Sequence, residues 1–337
     1  MIGRVEMGQV DNVSALTARA LTNQLAIIDI SDFEIAEKQA MIAEQIAQAA
    51  IERGFFYLSR VPADLLGQAE TLFNQLQHFF AAPLSVKQSL AWSSVSSNQG
   101  YIAIEQESLD PRQPPDLKEA LNVRPHFVPQ TATEQNLLAA WPAQLSEFRQ
   151  HLIDFYDLAN QLAMQVLESF AIALSLPADF FTQHHRRQQQ HTLRCLHYPP
   201  LGHSLEQLLP GQLRAGEHTD YGSITLLFQR DIGGLEVQNA QGDWIAAPPI
   251  PDTVLVNIGD LLQRWTNDLL RSTPHRVRPT HHQVSRYSIA LFCDPDPETW
   301  VTCIETGPSR GEGTGVSPRY EPIRADTYLA SRLARTY

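Results

Sequence analysis

The sequence predicts a mainly β protein with helical support, an α+β chain whose second half forms a jelly roll behind an N-terminal α/β extension. Three observations carry this expectation. Beyond residue 190, short apolar and β-branched runs at 192–198, 223–228, 234–237, 253–258, 275–277 and 286–293 alternate with Pro, Gly and Asp turn signals. Short strands at such spacing belong to sandwiches and barrels of jelly-roll type. Before them, 134–176 carries a long helical period, interrupted at Trp141-Pro142 and stopped at Leu176-Pro177. At the start, a β-branched apolar run over 25–30 is followed by a helical pattern and a second apolar run at 55–58.

In chain order, Ser31-Asp32 offers an N-cap for a helix over 33–53, which Gly54 ends. Pro62-Ala63-Asp64 opens a second helix running to about residue 80. The polar, poorly patterned stretch 92–113, closed by Pro114-Pro115, reads as a surface loop over a cleft. A last helix is expected over 325–335. These readings divide the chain into an N-terminal region at 25–135, a long supporting helix at 136–190, a core at 191–297 and a C-terminal tail and helix at 298–337. No internal repeat or low-complexity tract interrupts them.

At 337 residues, 43% hydrophobic and 18% charged, the composition is that of an ordinary globular chain with a sizeable core. The balance of 25 basic against 37 acidic residues gives −12, which weighs against nucleic acid or an anionic membrane as partner. His184-His185-Arg186-Arg187 is a local basic patch and reads as a solvated face. Cys195, Cys293 and Cys303 are odd in number, scattered and without zinc spacing, as expected for free thiols in a reducing cytosol. Residues 1–13 carry Arg4, Glu6 and Asp11 and no apolar stretch of the kind a signal peptide needs. With no run of about 18 apolar residues either, the expectation is a cytoplasmic monomer or homodimer with a small-molecule substrate.

The chemistry is concentrated in seven residues: His218-Thr219-Asp220, then His275, then Arg286-Tyr287-Ser288. Alone, an HxD triplet is weak, since this composition produces about 0.6 of them by chance. Context strengthens it. His218 and Asp220 are two apart on a segment leading into a strand, so their side chains share a side, and Gly216 and Gly222 flank them. His275 follows on another β-like run. Two histidines and a carboxylate cap one face of an octahedral metal and leave the other open, the arrangement of non-haem Fe(II) oxygenases. The same set also suits catalytic zinc. Arg286 and Ser288 discriminate: they share a strand face and offer a guanidinium and a hydroxyl to a carboxylate, an arm that a hydrolytic zinc site does not need. Tyr198, closing the 192–198 run before Pro199-Pro200, offers a further hydroxyl to that anion. His281 and His282 read as solvated loop residues.

From about residue 25 to the C-terminus, the chain resembles the isopenicillin N synthase-like branch of the Fe(II)/2-oxoglutarate-dependent dioxygenases. The resemblance is carried by 27–33, Gly54-Phe55-Phe56-Tyr57, Phe79-Phe80 with Pro83 and Lys87, Asp116-Leu117-Lys118-Glu119 and His197-Tyr198-Pro199-Pro200. It continues through His218-Thr219-Asp220-Tyr221-Gly222, Val256-Asn257-Ile258-Gly259-Asp260, 272–277, Arg286-Tyr287-Ser288 and Tyr320-Glu321-Pro322-Ile323. It implies a double-stranded β-helix core in which His218, Asp220 and His275 ligate Fe(II), with 2-oxoglutarate as cosubstrate. The distal carboxylate of 2-oxoglutarate would reach Arg286 and Ser288, with Tyr198 nearby. With O2, and with ascorbate as a stimulating reductant, such enzymes couple oxidative decarboxylation of 2-oxoglutarate to hydroxylation of a small molecule, or to desaturation or cyclisation. Some members of the branch use no 2-oxoglutarate and hold their own substrate's carboxylate at this place, so a 2-oxoglutarate-independent oxidase is the alternative. A non-catalytic jelly-roll binding or sensor protein is a third reading. Tyr101, Asn122, Trp265 and Phe292 fall on segments that line the mouth of the site in this family, Trp265 and Phe292 being better explained as packing aromatics. The 257–260 segment reads as a structural turn between strands, and Glu119 as a helix surface residue.

Overall fold

The computed structural model describes residues 25–108, 113–129, 135–201, 208–280, 283–304 and 317–336. His281 and His282 lie outside them. Strand β1 (Ala26–Asp29) runs parallel to β2 (Phe55–Ser59), and helix α1 (Ala36–Glu52) connects the two. Ile42, Ile46, Ala49 and Ala50 recur at three- and four-residue steps along α1, so one face is buried. The turn into β2 depends on Gly54. Its φ is +70°, and a side chain there would collide with the backbone carbonyl of Arg271. The expected Ser31-Asp32 cap is not used. The helix begins later, behind Ile35 and without a side-chain cap, and Asp32 instead pairs with Lys38 on the surface.

Helices α2 (Ala63–Ala81) and α3 (Leu84–Gln88) precede two strands that sequence patterning misses, β3 (Gly100–Ile102) and β4 (Glu119–Val123). β3 falls inside the stretch expected to be loop. Three residues are too few to show a period of two. β4 is buried on both faces yet carries Glu119 and Asn122, so it does not read as an apolar run. Two short 3-10 turns (Leu137–Ala140 and Ala143–Leu145) lead into the long helix α4 (Ser146–Ala173). Its buried face includes Phe155, whose ring meets Phe228 edge-on at 4.9 Å.

The second half contains the expected strands β5 (Thr192–Tyr198), β7 (Ile224–Gln229), β8 (Leu235–Gln238) and β10 (Thr253–Ile258), together with two that the patterning does not announce, β6 (Ala215–His218) and β9 (Trp244–Ala246). Helix α5 (Asp260–Trp265), β11 (His275–Val277) and β12 (Arg286–Cys293) complete the core. Beyond it come β13 (Trp300–Val301), β14 (Ile323–Arg324) and helix α6 (Ala325–Leu333). The strands form an eight-stranded sheet, β1-β2-β10-β7-β12-β5-β4-β3, and a four-stranded sheet, β6-β11-β8-β9. This is the expected α+β jelly roll, with the N-terminal strands extending the larger sheet.

Two apolar layers hold it. The larger joins α1, α2 and α4 to one face of the eight-stranded sheet through residues such as Ile46, Phe73, Phe155, Leu226 and Leu291. The smaller lies between the two sheets and includes Phe55, Leu196, Leu235, Val237 and Val277. Among the described residues, no helix is long and apolar enough to cross a membrane.

Three sequence expectations change. The 257–260 segment is not a turn between strands: Asn257 and Ile258 end β10, and Asp260 opens α5. Glu119 is not on a helix surface. It is buried in β4, where it accepts hydrogen bonds from Lys87 (2.8 Å), Tyr101 and His197 Nδ1 (2.7 Å). The 184–187 patch is not a solvated face throughout. Arg186 and Arg187 are exposed, but His185 is fully buried, bonded to the Phe181 carbonyl at 2.8 Å and to Ser223 Oγ at 3.0 Å. Burial holds its pKa down at about 4.

Candidate active site

His218 ends β6 and His275 opens β11, and antiparallel pairing sets the two directly opposite each other with ring centroids 4.2 Å apart. Asp220, two residues beyond β6, turns its Oδ1 toward both rings. It lies 3.8 Å from His218 Nε2 and 3.6 Å from His275 Nε2. Two ligands of one ion, with bonds near 2.1 Å, stand at most about 4.2 Å apart, so these separations suit a shared metal. Among the described residues this is the one cluster of three such groups that could hold an ion, its ligand atoms lying within 4.8 Å of one another.

The surrounding hydrogen bonds fix which atoms point inward. His218 Nδ1 bonds to the carbonyl of Gly216 at 2.8 Å, and His275 Nδ1 to that of Thr273 at 3.1 Å. A carbonyl only accepts, so each Nδ1 carries the proton and each Nε2 presents a lone pair. Gly216 is itself held, its N–H donating to the buried carboxylate of Asp116 at 2.8 Å. Asp220 Oδ2 accepts from Asn257 Nδ2 at 2.7 Å and from the Thr225 hydroxyl, leaving Oδ1 for the metal.

Protonation follows the same logic. Burial, reinforced by neighbouring His275, pushes His218 down to about 3, so it stays neutral. Burial opposes ionisation of Asp220, but the two histidines and the Asn257 and Thr225 hydrogen bonds outweigh it and hold the carboxyl below its ordinary range. Neutral imidazoles beside a carboxylate are the forms a divalent cation binds.

On β12, Arg286 and Ser288 point to the same side, into the same cavity. Arg286 is 2% exposed, and its hydrogen bonds all go to neutral acceptors: Ile232 O at 3.2 Å, Ser288 Oγ at 3.2 Å and Gln229 Oε1 at 3.0 Å. Tyr198 lies opposite in β5, its ring 4.7 Å from the guanidinium. Burial lowers the pKa of Arg286, but a guanidinium keeps its proton. A buried arginine that pairs with no acid among the described residues, and that faces a cavity, is suited to a carboxylate supplied from outside.

The cavity joining these groups has a volume of about 620 Å³ and is lined by the metal cluster, Arg286, Ser288, Tyr198, Asn122, Arg194 and Phe292. That lies within the usual range for a small-molecule site. Residues of α6, among them Leu329 and Leu333, line it from the C-terminal side. Of the residues on mouth-lining segments, Asn122 and Phe292 reach the cavity. Tyr101 is buried against Phe79 and Glu119, and Trp265 packs against Phe181. Sequence reasoning missed Asn257, Thr225, Gln229 and Asp116. For Asn257 a signal was present: one amide inside the apolar run Val254-Leu255-Val256-Asn257-Ile258 asks for a buried partner.

The chain is similar to known proteins over most of its length. Residues 189–295 match the 2OG-Fe(II) oxygenase superfamily, and residues 25–144 match the region described as non-haem dioxygenase in morphine synthesis N-terminal. A proline hydroxylase of Petromyces alliaceus is 33% identical over 332 residues, covering 92% of this chain and 98% of that protein. The structure of the Neurospora crassa thymine-7-hydroxylase in complex with alpha-KG (2-oxoglutarate) and thymine superposes with a TM-score of 0.81 at 35% identity, over 93% of this chain and 97% of that one. A putative 2OG-Fe(II) oxygenase family protein from Caulobacter crescentus superposes with a TM-score of 0.77 at 28% identity, over 93% and 99% of the two chains.

Proposed function

This chain belongs to the 2OG-Fe(II) oxygenase superfamily, and on that premise we propose that His218, Asp220 and His275 hold the iron while Arg286 and Ser288 hold the distal carboxylate of 2-oxoglutarate. The observation that carries this assignment is the Arg286 guanidinium, buried with neutral acceptors only, in the same cavity as three converging metal-binding atoms. Bound together, Fe(II), 2-oxoglutarate and O2 supply the oxidising power needed to attack an unactivated C–H bond, with 2-oxoglutarate oxidatively decarboxylated.

The residues of this chain bind, orient and exclude water. Gly216 and Thr273 hold the two imidazoles in the tautomer that offers Nε2. Asn257 and Thr225 hold Asp220 as a carboxylate with one oxygen free. The Ser288 hydroxyl accepts from Arg286, so its proton remains available to the anion. Tyr198 supports the plane of the guanidinium through its ring face. The substrate is a small molecule bound in the remainder of the cavity, toward Asn122, Phe292 and α6.

The test is direct. Anaerobic protein with Fe(II) should develop a visible metal-to-ligand charge-transfer band on addition of 2-oxoglutarate. On exposure to air it should consume O2 and form succinate, slowly without primary substrate. A missing band would favour the oxidase that needs no 2-oxoglutarate. Retention of turnover in both His218→Ala and Asp220→Ala would overturn the assignment.

A further inference from the structure

The cavity carries polar atoms that neither iron nor 2-oxoglutarate uses. Strand pairing sets Asn122 of β4 opposite Arg194 of β5, and Arg194 opposite Ala290 of β12, so all three share the cavity face of the sheet. Asn122 is 0% exposed. Its Nδ2 donates to Asn98 Oδ1 at 3.0 Å, while its Oδ1 is buried and accepts from nothing among the described residues. Buried polar side-chain atoms rarely go without a partner, and one aimed into a binding cavity is satisfied by what binds there.

A second polar group, a carboxyl, lines the same cavity. Beyond Ala290, Phe292 and Asp294 follow at two-residue steps, and both line the cavity. Asp294 is stacked over Gly222, where a side chain would overlap its carboxylate. Burial pushes its pKa up to about 7, against the pull of the Arg124 guanidinium, so near neutral pH this carboxyl can donate as well as accept. The surrounding wall is apolar at Leu196, Leu227, Leu329 and Leu333. Arg194, which lines the same region, is ion-paired with buried Glu107, so its charge is met within the protein and a neutral group suits the wall there.

We propose that this part of the oxygenase cavity recognises a neutral amide-type N–H, as in a primary amide, lactam or imide, which donates to Asn122 Oδ1, while a second polar group of the substrate meets the Asp294 carboxyl. The proposal rests on reading the cavity as the oxygenase site. It names the substrate class by one donor: the molecule brings an amide N–H to the unmet Asn122 oxygen and lays its apolar body against the leucines.

A matched pair of probes tests it: 2-pyrrolidinone, which has the amide N–H, and N-methyl-2-pyrrolidinone, which lacks it. Each is titrated into protein loaded anaerobically with Fe(II) and 2-oxoglutarate, following the charge-transfer band and saturation-transfer signals. The N–H lactam should bind at least tenfold more tightly, because the methylated probe leaves the acceptor buried and unmet. Asn122→Leu should erase the difference, whereas Asn122→Asp, which keeps an acceptor, should preserve it. Equal affinities in the wild type, an unchanged difference in Asn122→Leu, or binding of neither lactam while the band is present would overturn the proposal. The wild-type comparison decides the matter even where a variant fails to fold. Absence of the band from wild-type protein would instead overturn the underlying site assignment, and the two failures are thereby distinguished.

Discussion

Asn257 donates its Nδ2–H to the Oδ2 of Asp220 at 2.7 Å, across 37 residues of sequence, and so decides which carboxylate oxygen faces the two histidines. The bond links the middle of the larger sheet to the edge of the smaller one. Removing it leaves Asp220 with Thr225 alone on that oxygen. Asn257→Ala should therefore weaken Fe(II) binding about 10- to 100-fold, the usual effect of losing a group that orients a metal ligand. Titration with Fe(II) or Mn(II) under anaerobic conditions measures this, and unchanged affinity would show that Thr225 suffices.

Arg286 should be needed for 2-oxoglutarate but not for iron. Arg286→Lys keeps a charge yet loses the planar fork and its contact with Tyr198. The apparent affinity for 2-oxoglutarate should fall roughly 10- to 100-fold, as for loss of one charge-assisted hydrogen bond. Metal affinity should stay within twofold. A parallel loss of both affinities would mean that Arg286 acts structurally.

The packing of α4 on the sheet should dominate stability. Phe155 is fully buried and meets Phe228 edge-on. Phe155→Ala should cost about 3–5 kcal/mol, measured by urea unfolding followed by circular dichroism. A loss below about 1 kcal/mol would contradict this burial.

The buried imidazole of His185 should impose a pH dependence. Its pKa is near 4 in the fold, against about 6.5 in an unfolded chain. Above pH 6.5 both states are neutral and the contribution is fully present. As pH falls from 6.5 toward 4, the unfolded chain takes up a proton that the folded one refuses, and stability is lost. The loss is roughly 3 kcal/mol by the end of that window. Unfolding free energies of wild type and His185→Gln, measured from pH 7.5 to 4, should diverge accordingly. Parallel curves would show that His185 is not the titrating group.

Much of this was legible in the sequence because it depends on local periodicity and on ordered spacing. The 192–198, 253–258, 275–277 and 286–293 runs match observed strands at both ends, since a strand's side chains alternate whatever it pairs with. Arg286 and Ser288 share a face for the same reason. Local patterning fails at β4, where Glu119 and Asn122 look polar in sequence. Their partners, His197 and Asn98, come from elsewhere in the chain. The Ser31-Asp32 cap fails because a local propensity worth about 1 kcal/mol yields to tertiary packing.

The sequence by itself determined the residue types of the candidate site and their order along the chain, and with its strand pattern the jelly-roll core. Only the tertiary structure decided that His218 lies opposite His275, that Asn257 and Thr225 take one oxygen of Asp220, and that Asn122, on the cavity wall, keeps a buried amide oxygen unmet among the described residues. The reason is physical. Strand identity follows from side chains spaced two apart, but register, burial and hydrogen-bond partnership arise between segments tens of residues distant, where no local pattern records them.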